Sequence, residues 1–173
     1  MELWDVLDRD GNPTGRTVAR HKIQLKNGEY HLVVHIWILD KKGRVLLQRR
    51  ADDKPLMPGE WAATGGAAIA GENSMEAARR EVFEELGVAT NEQDLQLISR
   101  IVRKNSFLDV YLLERTIPLE DLVLQRSEVA QAKWVPLEKF KQMVADGEYH
   151  NYGKAYFKTI FSACQERIPN YGE

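Results

Sequence analysis

The sequence predicts an α/β fold in which a mixed β-sheet carries helices on its faces. Runs of β-branched and aromatic residues indicate strands in both halves of the chain, a helix preceded by a glycine-rich stretch separates them, and helical patterns follow at the end. Elements in this order pack as a sheet covered by helical layers. A length of 173 residues with 43% hydrophobic residues predicts a single domain over residues 1–173.

The first half of the chain contains two pairs of predicted strands. Residues Leu3–Leu7 and the turn formers that follow them predict an N-terminal hairpin over about residues 1–20. Residues 31–40 and 44–50 predict two antiparallel strands joined by a tight turn, the first strand largely buried. A polar loop over residues 51–60 follows them.

A helix is predicted after the glycine-rich segment that ends at Gly71. Asn73 or Ser74 is placed to cap its beginning, and Gly87 is placed to end it. At about 100° per residue, its apolar residues fall on one stripe that faces the core. Those residues are Met75, Ala78, Val82 and Leu86.

The second half of the chain predicts three further strands and two helices. The strands cover residues 95–102, 108–113 and 132–135, and Pro136 opens a short helix. An amphipathic terminal helix is predicted over about residues 153–168, with Cys164 on its apolar side.

Composition excludes several classes of function. The 24 basic and 26 acidic residues give a net charge of −2, so no nucleic-acid duplex is expected as a partner. No apolar run approaches the roughly 18 residues of a membrane span, and the N-terminus lacks the pattern of a signal peptide. A single cysteine allows no internal disulfide and fits a reducing compartment, so we expect a cytoplasmic protein.

Three glutamates of the predicted helix indicate a site. Glu81, Glu84 and Glu85 fall on one face about 100° wide, where like charges repel each other. Two of them also lie in the last turn, where the helix dipole disfavours anions. A hard divalent cation such as Mg²⁺, or alternatively Mn²⁺, would offset this charge with oxygen ligands.

A solvated helix face with Arg79 and Arg80 as partners is the more common explanation of a Glu-Glu pair alone. The full spacing favours a site, because Gly66, Glu72, Arg80-Glu81, Glu84-Glu85 and Gly87 recur at fixed intervals with aliphatic residues at 82 and 88. Such a combination arises by chance in about one of 10⁷ chains of this size. The segment from Gly66 to Val88 resembles the Nudix box in every position.

The resemblance to Nudix hydrolases implies an α/β/α sandwich with a loop-helix-loop catalytic box. It implies that Glu81, Glu84 and Glu85 bind the metal, together with the Gly65 carbonyl. Arg80 would orient a catalytic glutamate, Glu72 would support the loop or a second metal, and Gly66 would support the loop. Glu81 and Glu84 are therefore expected to take part in catalysis.

Further site residues are expected outside the box. Members of this family often use an additional acid from a later loop, and Glu128 stands in the expected place, with Asp109 as a second candidate. Substrate contacts are expected from Arg49, Arg50, Trp61 and Asp109, although charged residues at a strand edge are common without any ligand.

The N-terminal half also resembles the isopentenyl-diphosphate isomerases, which share the fold. The resemblance rests on residues 11–15, 30–32 and 58–61 and on Trp37, and it places His21 and His31 at metal-binding positions. The isomerases need a cysteine and another histidine where this chain has Gly66 and Ala68, and they depart from the box at the position of Glu81. Hydrolysis is therefore the favoured chemistry, and His21, His31 and His35 are left without an assigned role.

The expected function is divalent-metal-dependent hydrolysis of a phosphoanhydride in a nucleoside diphosphate linked to another group, or in a similar small diphosphate. The alternatives are an isomerase-like enzyme and a non-catalytic nucleotide-binding module. A homodimer is one possible assembly, because dimers are the commonest oligomers. No residue pattern identifies the substrate.

Overall fold

The computed structural model describes the whole chain, Met1–Glu173, and confirms the α/β class. Its helices are α1 (Ser74–Leu86), α2 (Leu137–Ala145) and α3 (Lys154–Gln165). Its strands are β1 (Leu3–Leu7), β2 (Pro13–Ala19), β3 (His31–Leu39), β4 (Arg44–Arg50), β5 (Trp61–Ala62), β6 (Thr64–Ala67), β7 (Leu95–Val102), β8 (Ser106–Glu114) and β9 (Val129–Pro136).

β3 is the central strand of the mixed sheet. It pairs in parallel with β8 along its whole length, from His31 opposite Ser106 to Leu39 opposite Glu114. Its other edge pairs antiparallel with β6, and β7 pairs antiparallel with β8. A near-continuous apolar sequence is typical of a strand buried on both faces, as β3 is here.

β3 and β4 do not form the extended hairpin that the sequence predicts. They pair only at Leu39 and Val45, which lie on either side of the turn. β6 occupies the edge of β3 beyond that point, while β4 pairs with β9 along its length and with β5 at its end. The two strands therefore diverge because each finds longer pairings with segments that lie far away in sequence.

Helices cover both faces of the sheet. α1 packs on one face through Ala77, Ala78, Val82 and Leu86, which contact β3 and β6. α2 and α3 pack on the other face, where Phe140, Phe157 and Ile160 join a core around Trp37. The result is a three-layer α/β/α arrangement. None of the helices has the length and apolar character that a membrane span requires.

The N-terminal hairpin of β1 and β2 has a small core of its own. Trp4, Val6 and Val18 fill it. Leu7 and Tyr30 exchange backbone hydrogen bonds of 2.7 and 2.9 Å, and the Trp4 ring stacks on His31 with 4.4 Å between centroids. These contacts fix the hairpin beside the start of β3.

Candidate active site

Caps at both ends position α1, which carries the glutamates. Asn73 accepts a hydrogen bond from the backbone N–H of Glu76 at 2.8 Å, and Glu76 accepts one from the N–H of Asn73 at 2.9 Å. Gly87 ends the helix with φ 72°, a left-handed conformation that glycine adopts without strain. Both caps were predicted, and of the two candidate residues Asn73 is the one at the N-cap.

Glu85 is the buried acid of the site. Its residue is 7% exposed, although the sequence places it on the polar side of the helix. The side-chain amide of Gln48 donates to its carboxylate and also donates to Thr64 Oγ1 at 2.8 Å. Burial, reinforced by the nearby charge of Glu81, raises the pKa of Glu85 to about 8, against the effect of hydrogen bonds from Gln48 and the Gly65 backbone.

Arg80 forms hydrogen bonds with the other acids of the box. Its guanidinium donates to Glu72 at 2.6 and 3.0 Å, to Glu81 at 3.0 Å and to Glu84 at 3.2 Å. It also donates to the backbone carbonyl of Ala67 at 3.1 Å. Glu72 in turn accepts from the N–H of Ile69 at 2.9 Å, so this network connects the loop before the helix to its middle turns.

The three glutamates point toward different partners. Glu81 and Glu84 turn to Arg80, while Glu85 turns to Gln48. No group of three or more His, Cys, Asp or Glu side chains has an arrangement that could hold a metal ion. The donors are nevertheless of the kind that a hard cation requires, because Glu85 is a buried carboxylate whose hydrogen-bonded side-chain partner is a neutral amide.

Two glycines allow β6 to approach its neighbours closely. A Cβ on Gly65 would lie 1.9 Å from the backbone oxygen of Val34, and a Cβ on Gly66 would lie 2.5 Å from Oε1 of Glu81. Gly65 pairs with His35 of β3 and contacts Glu85 through its backbone. The strand therefore lies directly against the acidic part of α1.

Glu128 lies close to Glu85 after the loop between β8 and β9. The N–H of Gln125 donates to the carbonyl of Glu85 at 3.0 Å, which holds this loop on the end of α1. The Glu128 carboxylate forms an ion pair of 2.6 Å with Lys54, and its charge is one of those that raise the pKa of Glu85. The structure thus brings this predicted acid to the box.

The predicted substrate-binding residues lie near the end of β4 and in β5. Arg49 pairs with Asp52 at 2.8 Å, and Arg50 donates to the carbonyl of Leu56 at 3.0 Å. Trp61 pairs with Arg49 in the strand register, and the amine of Lys133 lies over the Trp61 ring, 4.3 Å from its centroid. A cationic edge therefore lies beside the loop of residues 51–60.

Asp109 is not part of this group. It is almost fully buried, pairs with Arg100 at 2.6 and 2.8 Å and accepts a hydrogen bond from Ser74 at 2.5 Å. Ser74 precedes Glu85 by three turns of α1, about 16 Å along the axis. Through Arg100 and Ser74, Asp109 therefore connects β7 and β8 to the start of α1.

The side chains of His21, His31 and His35 form no hydrogen bond with residues of the box, although the backbone of His35 pairs with Gly65. His21 is exposed in a short 3-10 helix, and His31 stacks on Trp4. His35 is buried and its Nδ1 lies 2.7 Å from the hydroxyl of Tyr156, which also accepts from Trp37 at 3.0 Å. Burial lowers the pKa of His35 to about 3.

Sequence reasoning missed Gln48 and Lys133. Gln48 directly follows the apolar run Val45-Leu46-Leu47 within the predicted strand, and a polar residue at the end of such a run is a signal that could have identified it. Lys133, which is half-buried in the structure, carried no signal, because a single lysine in a strand is ordinary. Only the pairing of β9 with β4 brings it to Trp61.

Comparisons with known proteins agree with this geometry. The NUDIX domain family matches residues 29–155. An uncharacterized Nudix hydrolase of Listeria monocytogenes is 37% identical over 153 residues, which cover 88% of this chain and 90% of that protein. An isopentenyl-diphosphate Delta-isomerase of Mycolicibacterium vanbaalenii is 30% identical over 148 residues, which cover 81% of this chain and 80% of that protein.

A solved structure shows the same fold. A crystal structure of a Deinococcus radiodurans protein superposes with a TM-score of 0.74 at 23% sequence identity and covers 94% of this chain and 99% of that one. The family match spans well over half of the chain, and it includes the complete box on α1. The chain therefore belongs to the Nudix family and is a pyrophosphohydrolase.

Proposed function

We propose that the chain hydrolyses the phosphoanhydride bond of a nucleoside diphosphate linked to another group, or of a similar small diphosphate, with Mg²⁺ as cofactor and Mn²⁺ as an alternative. The observation that carries the proposal is the buried carboxylate of Glu85 beside Glu81 and Glu128, which lacks a cationic side-chain partner. A divalent ion here would remove the electrostatic penalty that burial imposes.

Glu81, Glu84 and Glu85 would hold this ion, with the Gly65 carbonyl as a further oxygen donor. When bound, such an ion neutralises a diphosphate and makes water more acidic. Arg80 positions Glu81 and Glu84, because one of its nitrogens reaches both carboxylates. Glu72 anchors Arg80 from the loop, and Gly66 leaves room for Glu81.

Glu128 is the proposed acceptor of a proton from the attacking water, with Glu81 and Glu84 as the other candidates. Its carboxylate forms an ion pair of 2.6 Å with Lys54, and a carboxylate held near the metal-binding glutamates is a suitable general base. Arg49, Arg50 and Trp61 would contact the substrate, since cations and an aromatic face suit phosphates and a base. Asp109 has no place in this proposal.

The isomerase alternative has little support from the site. Gly66, where the isomerases carry a cysteine, has no space for a side chain while Glu81 holds its position. Cys164 lies in the core on the opposite face of the sheet, and burial raises the pKa of its thiol to about 12. The same cysteine, single and buried, fits the proposed cytoplasmic location.

A substrate screen tests the proposal. Nucleoside triphosphates, nucleotide sugars, dinucleotides and prenyl diphosphates are incubated with Mg²⁺ or Mn²⁺, and released phosphate and nucleoside monophosphate are measured. We expect metal-dependent hydrolysis of at least one class and no interconversion of the five-carbon diphosphates. Glu84→Gln and Glu85→Gln should each lower turnover by about a hundredfold or more.

Glu120→Gln is the matched control, because Glu120 is an exposed acid in a short 3-10 helix and its side chain forms no ion pair or hydrogen bond in the structure. It should retain the activity of the unmodified chain. Full activity of both site variants would refute the assignment of the glutamates. Nucleotide binding without any hydrolysis would instead favour the non-catalytic module.

A further inference from the structure

We propose a second ligand site, between α2 and α3, that binds a small anion with an aromatic body such as a nucleoside monophosphate. A cavity of about 720 Å³ lies there, on the opposite face of the sheet from α1. Its volume falls in the range of roughly 300–1,000 Å³ that is usual for small-molecule sites. None of the residues assigned to hydrolysis lines it.

Aromatic rings form the apolar wall of this cavity. Phe157 lies 5.9 Å from Tyr149 and 5.9 Å from Phe161 between ring centroids, and the two phenylalanines are stacked with 26° between their planes. Tyr149 and Phe157 are buried, whereas Phe161 is partly exposed. Of these three rings, Phe161 is the one that offers exposed surface to a planar ligand, and the amine of Lys141 lies 5.7 Å from its centroid.

Three lysines give the cavity a positive charge. Lys141, Lys154 and Lys158 line it together with no aspartate or glutamate, in a chain whose net charge is negative. Lys141 contacts Glu138 at 3.2 Å and the hydroxyl of Tyr171 at 2.5 Å. The amines of Lys154 and Lys158 take part in none of the ion pairs of the structure.

The two unpaired lysines lie in the first turns of α3. The positive end of a helix disfavours cations, and the first turn of α3 contains no acid to compensate them. An anion between the two amines would relieve this repulsion. The apolar wall and the two lysines, Lys154 and Lys158, together match a ligand with one aromatic ring and one phosphate, rather than a bare phosphate ion.

A titration with adenosine 5′-monophosphate tests the site. The ligand is added to the full chain in the presence of EDTA, so that a divalent cation does not recruit it to the box, and binding is measured by calorimetry. We expect saturable binding that weakens by about tenfold or more in a Lys154→Ala/Lys158→Ala variant. A Lys22→Ala/Lys139→Ala variant removes the same charge from exposed lysines outside the cavity and should bind as the unmodified chain does.

The position of the ligand is tested by amide chemical shifts. Signals of residues 154–161 should move on titration, while those of residues 81–85 should not. Glu85→Gln should bind the nucleotide as the unmodified chain does, which keeps this site independent of the proposed hydrolysis. No saturable binding, equal binding by both lysine variants, or shifts confined to α1 would each overturn the proposal.

Discussion

Gly66 determines where the Glu81 carboxylate can lie. A Cβ at this position would meet the end of a flexible side chain, which can turn away, so Gly66→Ala should fold. Displacement of a positioned carboxylate by about 1 Å should lower turnover by about a hundredfold. Steady-state kinetics and thermal unfolding of the same sample separate the two effects.

Gly65→Ala is the informative comparison for this prediction. Its Cβ would strike the backbone of Val34, which cannot move without breaking the pairing of β3 and β6. We expect loss of stability as well as of activity. A Gly66→Ala variant with normal turnover would contradict the proposed role of Glu81.

His35 should make stability depend on pH. Its pKa of about 3 in the folded state lies below the value of 6.5 for the free side chain, because burial disfavours the charged ring. Unfolding therefore takes up a proton below pH 6.5, and stability falls as pH decreases from there toward 3. The free energy of urea unfolding should decrease by up to about 1.4 kcal/mol per pH unit from this group.

The His35→Gln variant should show a smaller decrease between pH 7 and pH 5. His21→Gln is the control, since it removes an exposed histidine by the same substitution. His31, whose pKa is also lowered by burial, contributes in the same direction. Identical pH profiles for the His35 variant and the unmodified chain would refute this assignment.

The spacing of residues within one helix predicted which acids share a face, but it could not predict their partners. Glu85 was placed on the polar side of α1, and the structure buries it. Its partner Gln48 lies 37 positions earlier in the chain and reaches it because β4 lies beside the helix. Such a contact depends on how two elements pack together. The periodicity of residues within one helix gives no information about that packing.

The N-cap of α1 should have a measurable effect on the whole element. Asn73→Ala removes the hydrogen bond to the Glu76 N–H and should cost about 1 kcal/mol, or about 2–4 °C in the thermal midpoint. Calorimetry or circular dichroism measures the shift. Asn27→Ala, at an exposed position without a side-chain hydrogen bond in the structure, is the control. Equal midpoints for both variants would contradict the importance of the cap.

The elements differ in how well local sequence predicts them. Capped helices such as α1 are encoded within a short segment, so both of its ends were predicted. Strand partners are chosen over long distances, so the early separation of β3 from β4 was missed. β5 and β6 were also missed, because β5 has only two residues and two of the four residues of β6 are glycines, which lack strand propensity.

At the scale of the whole molecule, the reactivity of the Cys164 thiol shows whether the core is intact. Cys164 is fully buried and its pKa is raised to about 12 by burial, so the native chain should react very slowly with thiol reagents. Labelling should become fast in denaturant, and hydrolysis should survive treatment with N-ethylmaleimide. Rapid inactivation of the folded enzyme would contradict a mechanism without a cysteine.

The parallel pairing of β3 with β8 affects how the chain can fold during its synthesis. His31 and Ser106 are register partners although 75 positions separate them, so closing this loop is slow compared with forming a hairpin. A ribosome must make most of the chain before β3 acquires its second neighbour. Until then, the backbone of β3 has an unpaired edge, and the apolar face formed by Val34, Ile36 and Ile38 belongs to an incomplete sheet, a state in which nascent chains aggregate.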